Sequence, residues 1–283
     1  MSISLGIGLK IGGNNSVGGM PLLPDLNIYI AGLGTPLSDA QLLLLNTLYG
    51  TILSGLSVAT MYDFFDIAYL LGGETKESSY RNLVRNANHI TVTSEPTWTI
   101  YKGSQGDGIS QFLDTNYNPA TQGHNYTLNN CTLGVLSLTD VGGTYSDIGS
   151  RTDTTNYTAI YSRLATNVAA MRLHTVVGVA INGAVTNSKA YFTVTRNVKE
   201  MTGLFGYRNK TSIARTTLIT DTTSIPNGNF YIGARNLVGT GPEAFSPRQY
   251  AFAFASRYMT EAHRDVIIDA VEVYMDAYGE GVI

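Results

Sequence analysis

Residues 246–275 read SPRQYAFAFASRYMTEAHRDVIIDAVEVYM, and the hydrophobic period changes once within this stretch. Between Tyr250 and Ser256, small residues alternate with phenylalanines, so both faces of the predicted strand are apolar. Such a strand is internal to a fold, or a helix or a neighbouring subunit covers it. From Thr260, a candidate N-cap, apolar residues recur at helical spacing as far as Gly279. The stretch therefore predicts a core strand followed by a C-terminal helix that packs on the sheet.

Short strand-like segments occupy most of the chain after Asn86. Asn182-Gly183 fits a type I′ hairpin, and Gly142-Gly143 and residues 227–229 fit two further tight reversals. Tight reversals join antiparallel neighbours, so the pattern predicts a mostly β protein built as an antiparallel sandwich. The candidate strands are 91–93, 97–101, 111–114, 131–138, 157–164, 167–173, 175–181, 190–196, 202–207, 211–219, 229–234 and 250–256.

Two helices are predicted before these strands, within residues 28–86. The first begins at the N-cap Ser38, which forms a capping box with Gln41, and its apolar residues recur every three to four positions. The second covers residues 57–71 and ends at Gly72-Gly73. We expect this helical hairpin to cover a flank or a face of the sandwich, which takes residues 87–283 together with the C-terminal helix.

Residues 1–27 differ in composition from the rest of the chain. Glycines leave too few side chains for a core, and Pro21 and Pro24 favour an extended arm. Its apolar residues nevertheless alternate with a period of two, which would let the arm add a strand to the sheet edge of a partner. A disordered tail is the alternative interpretation. The residues of this candidate anchoring arm are Ile3, Leu5, Ile7, Leu9 and Ile11.

Charge and cysteine content exclude several function classes. Only 14% of the residues are charged and the net charge is −3, whereas nucleic-acid binding needs clustered lysine and arginine. Cys131 is the single cysteine, which excludes an intramolecular disulfide and a cysteine-based zinc site, and we expect it to be a buried thiol. The four histidines lack metal-ligand spacing. We therefore expect no nucleic-acid partner and no metal or cofactor, apart from the calcium considered below.

Membrane insertion is not expected either. No run of about 18 apolar residues occurs, and glycines interrupt the N-terminal apolar residues, so we expect neither a membrane span nor a secretory signal. The 18 tyrosines are the more informative feature, because tyrosine is enriched at protein interfaces. This composition favours an oligomer or a particle-bound protein over the alternative of a monomeric sandwich with many exposed polar residues.

Several segments resemble one family. Residues 106–119 read GDGISQFLDTNYNP and resemble the GDGxSxxLDTxYNP segment of concanavalin A-like, laminin-G-like jelly rolls in bacteriophage and prophage proteins. Residues 227–236, reading NGNFYIGARN, and residues 246–275 resemble the closing strands and terminal helix of that family. The SLGIGLKIGG start, the helical hairpin, Asn82-Leu83-Val84 and Pro96-Thr97-Trp98 are similar as well.

This resemblance implies a jelly-roll sandwich in a non-enzymatic virion structural protein, located in a tail, a fibre or a head-surface (decoration) position. Other virion proteins would then be partners, with the arm as the anchor. By analogy with symmetric phage assemblies we favour a homo-oligomer, a trimer being one such state. A neighbouring subunit is then an attractive cover for the apolar strand at 250–256. Contact with host-surface glycan belongs to the same hypothesis, and a carbohydrate-binding, lectin-like module is the alternative.

Candidate glycan and metal ligands are few. Trp98 could stack on a sugar, although a core tryptophan is the commoner use of this residue in a sandwich. The loops at 142–151 and 239–247 are candidate rims for a glycan. Asp107 and Asp114, with Asn116 or Asn118, could supply oxygen ligands to calcium, whereas turn capping explains the same residues without a metal.

No catalytic residue is assigned. A glycosidase needs two suitably spaced carboxylates, and the pairs Asp63 with Asp66 and Asp269 with Glu272 lie on apparent helices, where we expect them to be solvated. Ser110 lacks the context of a hydrolase nucleophile. A polysaccharide depolymerase is therefore the least favoured alternative.

Overall fold

The computed structural model describes residues 16–152, 156–176, 180–197, 201–216 and 224–283. Its strands, in chain order, are β1 Ser16–Val17, β2 Met20–Pro21, β3 Phe65–Leu70, β4 Thr97–Thr99, β5 Gly103–Gln105, β6 Leu113–Asp114, β7 Asn130–Ser137, β8 Ile148–Arg151, β9 Tyr157–Tyr161, β10 Val168–Thr175, β11 Ile181–Ala184, β12 Ala190–Asn197, β13 Met201–Arg208, β14 Thr211–Thr216, β15 Tyr231–Ile232, β16 Arg235–Leu237, β17 Gly241–Glu243 and β18 Gln249–Ser256. The helices are α1 Pro24–Ile30, α2 Asp39–Leu56, α3 Lys76–Tyr80, α4 Pro119–Gln122 and α5 Glu261–Asp276, and a 3-10 turn occupies Met61–Asp63.

Within the described residues, the strands form two eight-stranded sheets and the small β1-β2 hairpin. The first sheet has the order β14-β13-β12-β7-β18-β5-β4, with β3 also paired to β18. The second sheet has the order β11-β10-β9-β8-β15-β6, and β16 joins it by pairing with β8 and β17. All pairs are antiparallel except β16 with β8. The predicted antiparallel sandwich is confirmed.

One core fills the space between the two sheets. Each strand directs alternate residues inward, so both sheets contribute apolar side chains to the same layer. On the first sheet these include Leu133, Val135 and Ala253, and on the second sheet Ile160 and Met171, all buried. This layer holds the sheets face to face and leaves one outer surface on each.

Helices cover the outer surface of the first sheet. α2 and α5 pack on each other and on β18, whose residues Phe252 and Phe254 lie in the same core as Leu45 of α2 and Val271 of α5. A register shift between Tyr250 and Phe252 moves Ala251 to this helical side as well. The second apolar face of this strand is therefore covered by the chain's own helices. The prediction that a neighbouring subunit covers this face is wrong.

The C-terminal helix agrees with its prediction. Thr260 is the N-cap, and its hydroxyl accepts a hydrogen bond from the backbone N–H of His263. The first helix is also confirmed: Ser38 caps α2 by accepting from the N–H of Gln41. The side chain of Gln41 does not complete a capping box, because its amide instead donates to the hydroxyl of Tyr274 in α5.

The predicted second helix at 57–71 is wrong. Ser57 has a left-handed backbone (φ 53) and ends α2, and the 3-10 turn and strand β3 follow. Every residue of β3 is buried, because helices lie on one face and the second sheet on the other. A strand with two apolar faces lacks the period of two that identifies a half-exposed strand, so its sequence resembles a helix.

Two predicted reversals differ from the structure. Asn182 and Gly183 lie inside β11, paired with Ala170 and Ala169 of β10, and form no hairpin turn. A Cβ atom on Gly183 would lie 2.6 Å from the carbonyl oxygen of Ile213, so close packing explains this glycine. Residues 142–143 lie on the connection from β7 in the first sheet to β8 in the second. They therefore belong to a connection between sheets and not to a hairpin.

The extended arm predicted for residues 1–27 is wrong for its second part. Val17 and Leu22 are buried in the helical core, and Leu26 of α1 is fully buried there. Pro24 begins α1, where its fixed φ and missing N–H are favourable. Ile3, Leu5, Ile7, Leu9 and Ile11 lie outside the described residues. By length and composition alone, the segment Asp39–Asp63 could cross a membrane, and in the fold α2 within it packs on α1 and α5.

Candidate functional site

The outer face of the second sheet carries a cluster of arginines and tyrosines. Strand alternation places it there: Ile160 and Met171 point into the core, while their neighbours Tyr161 and Arg172 point outward. No helix of the described chain packs on this face. We name it the arginine-tyrosine face, and it comprises Arg151 of β8, Tyr157 and Tyr161 of β9, Arg172 of β10, Arg235 of β16 and Glu243 of β17.

Sheet register brings these residues together. Arg151 lies opposite Tyr157 on β8 and β9, and Arg172 lies opposite Ala159 on β10 and β9. Arg235 and Glu243 lie opposite each other in the short β16-β17 hairpin, which joins the sheet beside β8. Two parts of the sequence, residues 151–172 and 235–243, therefore contribute to one surface.

Three guanidinium groups stack around the tyrosine rings. The guanidinium carbons of Arg172 and Arg235 lie 4.7 and 4.6 Å from the ring centroid of Tyr157, and that of Arg151 lies 5.6 Å away. Arg172 is also 5.7 Å from the ring of Tyr161. These distances are within the range of cation-π attraction. The two tyrosine rings are buried under this layer, and their hydroxyls hydrogen-bond each other.

Positive charge exceeds negative charge on this face. Glu243 is the single acid of the cluster. Its carboxylate oxygen Oε1 contacts both arginines: Arg235 through Nε (2.8 Å) and Nη2 (2.6 Å), and Arg151 through Nη2 (3.4 Å). Arg235 also donates to the hydroxyl of Tyr161. Three arginines and one glutamate leave an excess of two positive charges on a partly buried surface.

Arg172 is the arginine that this arrangement leaves without an acid. Its guanidinium has ring contacts but no hydrogen bond or ion pair with any residue that the structure describes, and its Nε is buried without a partner. Burial lowers the pKa of Arg172, which the nearby Tyr161 only partly offsets. An arginine held half-buried by neutral aromatic rings is prepared to pair with an anion from outside the chain.

The side chains of this face can bind an anion, but those described do not form an acid-base pair. Glu243 is engaged by two arginines. Burial raises the pKa of Tyr161, so its hydroxyl stays protonated near neutral pH. A second carboxylate to complete an acid and base pair is not among the described residues of the cluster.

Sequence reasoning did not identify this cluster. Its signal was the outward position of Tyr157, Tyr161 and Arg172 on two predicted strands. Strands β8, β16 and β17, which supply the remaining members, were not predicted. The predicted glycan rims at 142–151 and 239–247 nevertheless contain Arg151 and Glu243, so the face borders both loops.

Trp98, the predicted glycan contact, lies elsewhere. It is a half-buried residue of β4 at the edge of the first sheet, and its ring N–H donates to the carbonyl of Leu71 (3.2 Å) and the hydroxyl of Ser79 (3.1 Å). A glycan role for Trp98 stays a prediction, separate from the arginine-tyrosine face.

The candidate calcium ligands hold turns. One carboxylate oxygen of Asp107 accepts from the backbone N–H groups of Ile109, Ser110 and Gln111, which lowers the pKa of Asp107. Asp114 accepts from the N–H of Asn116 and from the Asn229 side chain. Turn capping, the alternative that the sequence offered, is confirmed for Asp107. Within the part of the chain that the structure describes, no group of three or more His, Cys, Asp or Glu side chains could hold a metal ion.

The expectation that both carboxylate pairs are solvated is wrong. Asp66 is fully buried in β3 and accepts hydrogen bonds from the Tyr117 hydroxyl (2.7 Å) and from the N–H groups of His124, Asn125 and Tyr126. These donors replace its hydration, so a structural role accounts for its burial. In the second pair, Glu272 is buried and accepts from the C-terminal backbone N–H groups, and Asp269 is exposed.

Cys131 is a buried thiol, as predicted, and burial raises its pKa to about 12. Ser110 hydrogen-bonds Asp107 and sits in the turn that Asp107 organises. Neither residue belongs to the arginine-tyrosine face.

Comparison with known proteins shows the fold. No protein-family model matches the chain, and no curated protein matches its sequence. Among solved structures, a mutant Trypanosoma rangeli sialidase with trans-sialidase activity has a TM-score of 0.51 at 12% identity, over 86% of this chain and 40% of that one. The binding domain of botulinum neurotoxin DC, in complex with rat synaptotagmin II, has a TM-score of 0.51 at 12% identity, over 74% of this chain and 52% of that one.

A smaller protein is also similar. The Ruminococcus gnavus IT-sialidase CBM40, bound to alpha2,6 sialyllactose, has a TM-score of 0.43 at 13% identity, over 58% of this chain and 96% of that one. The chain spans 40% and 52% of the two larger structures. At these identities the likeness shows a β-sandwich fold, and it assigns no activity to this chain.

Proposed function

We propose that this protein is a non-enzymatic bacteriophage virion protein, in a tail, fibre or head-surface position, and that its sandwich binds glycan at the host surface through the arginine-tyrosine face. The observation that carries the binding role is the stack of three arginines on two tyrosines, on a sheet face without a helical cover.

The virion role is supported by the sequence segments that resemble phage jelly rolls. In the fold these segments stabilise the sandwich. Asp107 accepts the hydrogen bonds of a turn, and the hydroxyl of Tyr117 donates to buried Asp66. Residues 246–275 contain the central strand β18 and helix α5. A scaffold that is built from such segments and presents a binding face suits a displayed virion protein.

The remaining parts of the proposal concern assembly. Residues 1–15 are the anchor to a neighbouring virion protein, because Ile3, Leu5 and their alternating partners can extend a sheet edge. A homo-oligomer, of which a trimer is one form, would present several arginine-tyrosine faces side by side and strengthen weak glycan contacts.

A lectin-like module that acts outside a virion is the second candidate. The same face favours it, since glycan binding needs no particle. The two candidates separate on location: a virion protein is a stoichiometric part of purified particles, and a free module is absent from them.

Two measurements test the proposal. The first is mass spectrometry of purified particles, where we expect the chain at a fixed copy number; its absence would contradict the virion role. The second is binding of the full chain to immobilised envelope polysaccharide from the host. We expect binding without shortening of the polymer, loss of binding in the Arg151→Gln/Arg172→Gln double variant, and retention in Arg215→Gln, an exposed arginine that stacks on Phe205 in the first sheet. Failure to bind any envelope polysaccharide, or cleavage of the polymer, would contradict the binding role.

A further inference from the structure

We propose that the ligand of the arginine-tyrosine face is an acidic saccharide, a sugar that carries a carboxylate, and that Arg172 binds this carboxylate. The inference rests on the proposed glycan-binding function and names its substrate class. It follows from the distribution of charge and of hydrogen-bonding groups on the face.

The first step is the charge of Arg172. Arg151 and Arg235 share Glu243, while Arg172 has no acidic partner in the part of the chain that the structure describes. A half-buried guanidinium without a counter-ion is unfavourable, and a carboxylate that binds it forms charge-assisted hydrogen bonds. The planar fork of a guanidinium matches the two oxygens of a carboxylate.

The second step is Glu243. All of its contacts with Arg151 and Arg235 fall on Oε1, so Oε2 is available as an acceptor among the described residues. Glu243 is partly exposed, with 31% of its side chain accessible. A carboxylate oxygen on the rim of a binding face accepts hydrogen bonds from hydroxyl groups, which a sugar has and a simple anion lacks.

The third step is the composition of the outer surface. The guanidinium groups of Arg172 and Arg235 lie over the ring of Tyr157, and the rings of Tyr157 and Tyr161 are buried beneath this layer. The groups that face outward are therefore polar, and a sugar would meet them through its carboxylate and hydroxyl groups. An acidic peptide could also pair with Arg172, but its further carboxylates would be repelled by Glu243. The presence of both Glu243 and an arginine without an acid therefore favours a saccharide with a single carboxylate per ring and many hydroxyl groups.

The experiment compares acidic saccharides with neutral counterparts and with an acidic peptide. Isothermal titration of the full chain would use galacturonic acid oligomers and their methyl esters, sialyllactose and lactose, and an oligoglutamate peptide. Each ligand would be titrated into wild type, Arg172→Gln and the control Arg215→Gln. We expect at least one acidic saccharide to bind at least about ten-fold more tightly than its neutral counterpart, and Arg172→Gln to remove this preference. Arg215→Gln should retain it.

The outcomes separate the two proposals. Equal binding of acidic and neutral sugars, or a preference that survives in Arg172→Gln, would overturn the acidic-saccharide inference and leave glycan binding intact. Absence of binding to every saccharide would overturn the proposed glycan-binding role as well. Arg172-dependent binding of oligoglutamate alone would replace the saccharide with an acidic peptide, and would also overturn the inference.

Discussion

Arg172 lies over the ring of Tyr157, with its guanidinium carbon 4.7 Å from the ring centroid, and no acid of the described chain pairs with it. The ring attracts the guanidinium weakly, whereas burial removes part of the hydration of its charge. If Arg172 also binds ligand as proposed, its removal should lower ligand affinity without lowering stability.

Replacing Arg172 with methionine tests this cost directly. Met keeps a long apolar side chain over Tyr157 and removes the charge that has no counter-ion. We expect the free energy of unfolding to stay unchanged or to rise by about 1 kcal/mol, while binding of acidic saccharides is lost. Urea unfolding monitored by circular dichroism would measure it. A clear loss of stability would show that Arg172 has a structural partner.

Arg248 should behave in the opposite way. Its guanidinium pairs with Asp147 at 2.8 Å, both side chains have 0% exposure, and it also donates to the carbonyls of Val141 and Arg163. We expect Arg248→Met to destabilise the fold by about 3–5 kcal/mol, because Asp147 would remain buried without its cation. Chemical denaturation would measure the loss.

The exposed pair of Lys76 and Glu95 provides the control for this experiment. Lys76→Met removes an ion pair whose side chains are 49% and 46% accessible, so we expect the unfolding midpoint to stay unchanged. Equal effects of the Arg248 and Lys76 substitutions would contradict the structural role of the buried pair.

Two deletions separate the anchoring segment from the folded body. Removing residues 1–15 should leave a folded domain that no longer incorporates into particles. Removing residues 1–27 should also lower the midpoint, because each buried leucine in the set Leu22 and Leu26 contributes about 1.5–3 kcal/mol. Scanning calorimetry and particle co-purification would measure both effects. Normal incorporation of the shorter deletion would contradict the anchoring role.

Acid should weaken the fold through His174. This residue is fully buried with Nδ1 2.9 Å from the carbonyl oxygen of Leu128, and burial lowers its pKa to about 3. In the unfolded chain His174 has an ordinary pKa near 6.5, so below that pH it binds a proton in the unfolded state and not in the folded state. The contribution of neutral His174 to the free energy of unfolding is therefore complete above about pH 6.5 and decreases as the pH falls from about 6.5 to 3. Unfolding free energies at several pH values from about 7 to 4.5 would show the decline.

His174→Asn is the matched variant for this measurement. His174 has a left-handed backbone (φ 50), which asparagine tolerates well. The variant should lose part of the pH dependence, while His89 and His263, whose pKa values burial also lowers, remain in both proteins. An identical slope in the two proteins would contradict the account.

Elements with a repeating pattern of their own were predicted, and elements without one were missed. α5 shows a helical period, and β18 alternates alanines with phenylalanines although both of its faces are buried. β3 is likewise buried on both faces, but its sequence has no such alternation. Asp66 was missed for the same reason: its burial depends on donors from Tyr117 and residues 124–126, which reach it only in the folded chain.

The arginine-tyrosine face was beyond sequence prediction for a related reason. Tyr157, Tyr161 and Arg172 are outward positions of predicted strands, and this part of the signal was available. The register that brings Arg235 beside Arg151 depends on the three-residue strands β16 and β17, joined through Gly239 and Gly241 with positive φ. Strands of this length lack a period, so only tertiary contacts define them.

The most direct test of the central claim is a crystal structure of the full chain with the acidic saccharide that binds most tightly in the titrations, at saturating concentration. We expect a sugar ring on the outer face of the second sheet, with its carboxylate at hydrogen-bonding distance from the Arg172 guanidinium and a hydroxyl donating to Glu243. A saccharide bound elsewhere, for example beside Trp98, or an arginine-tyrosine face without ligand at saturation, would contradict the claim.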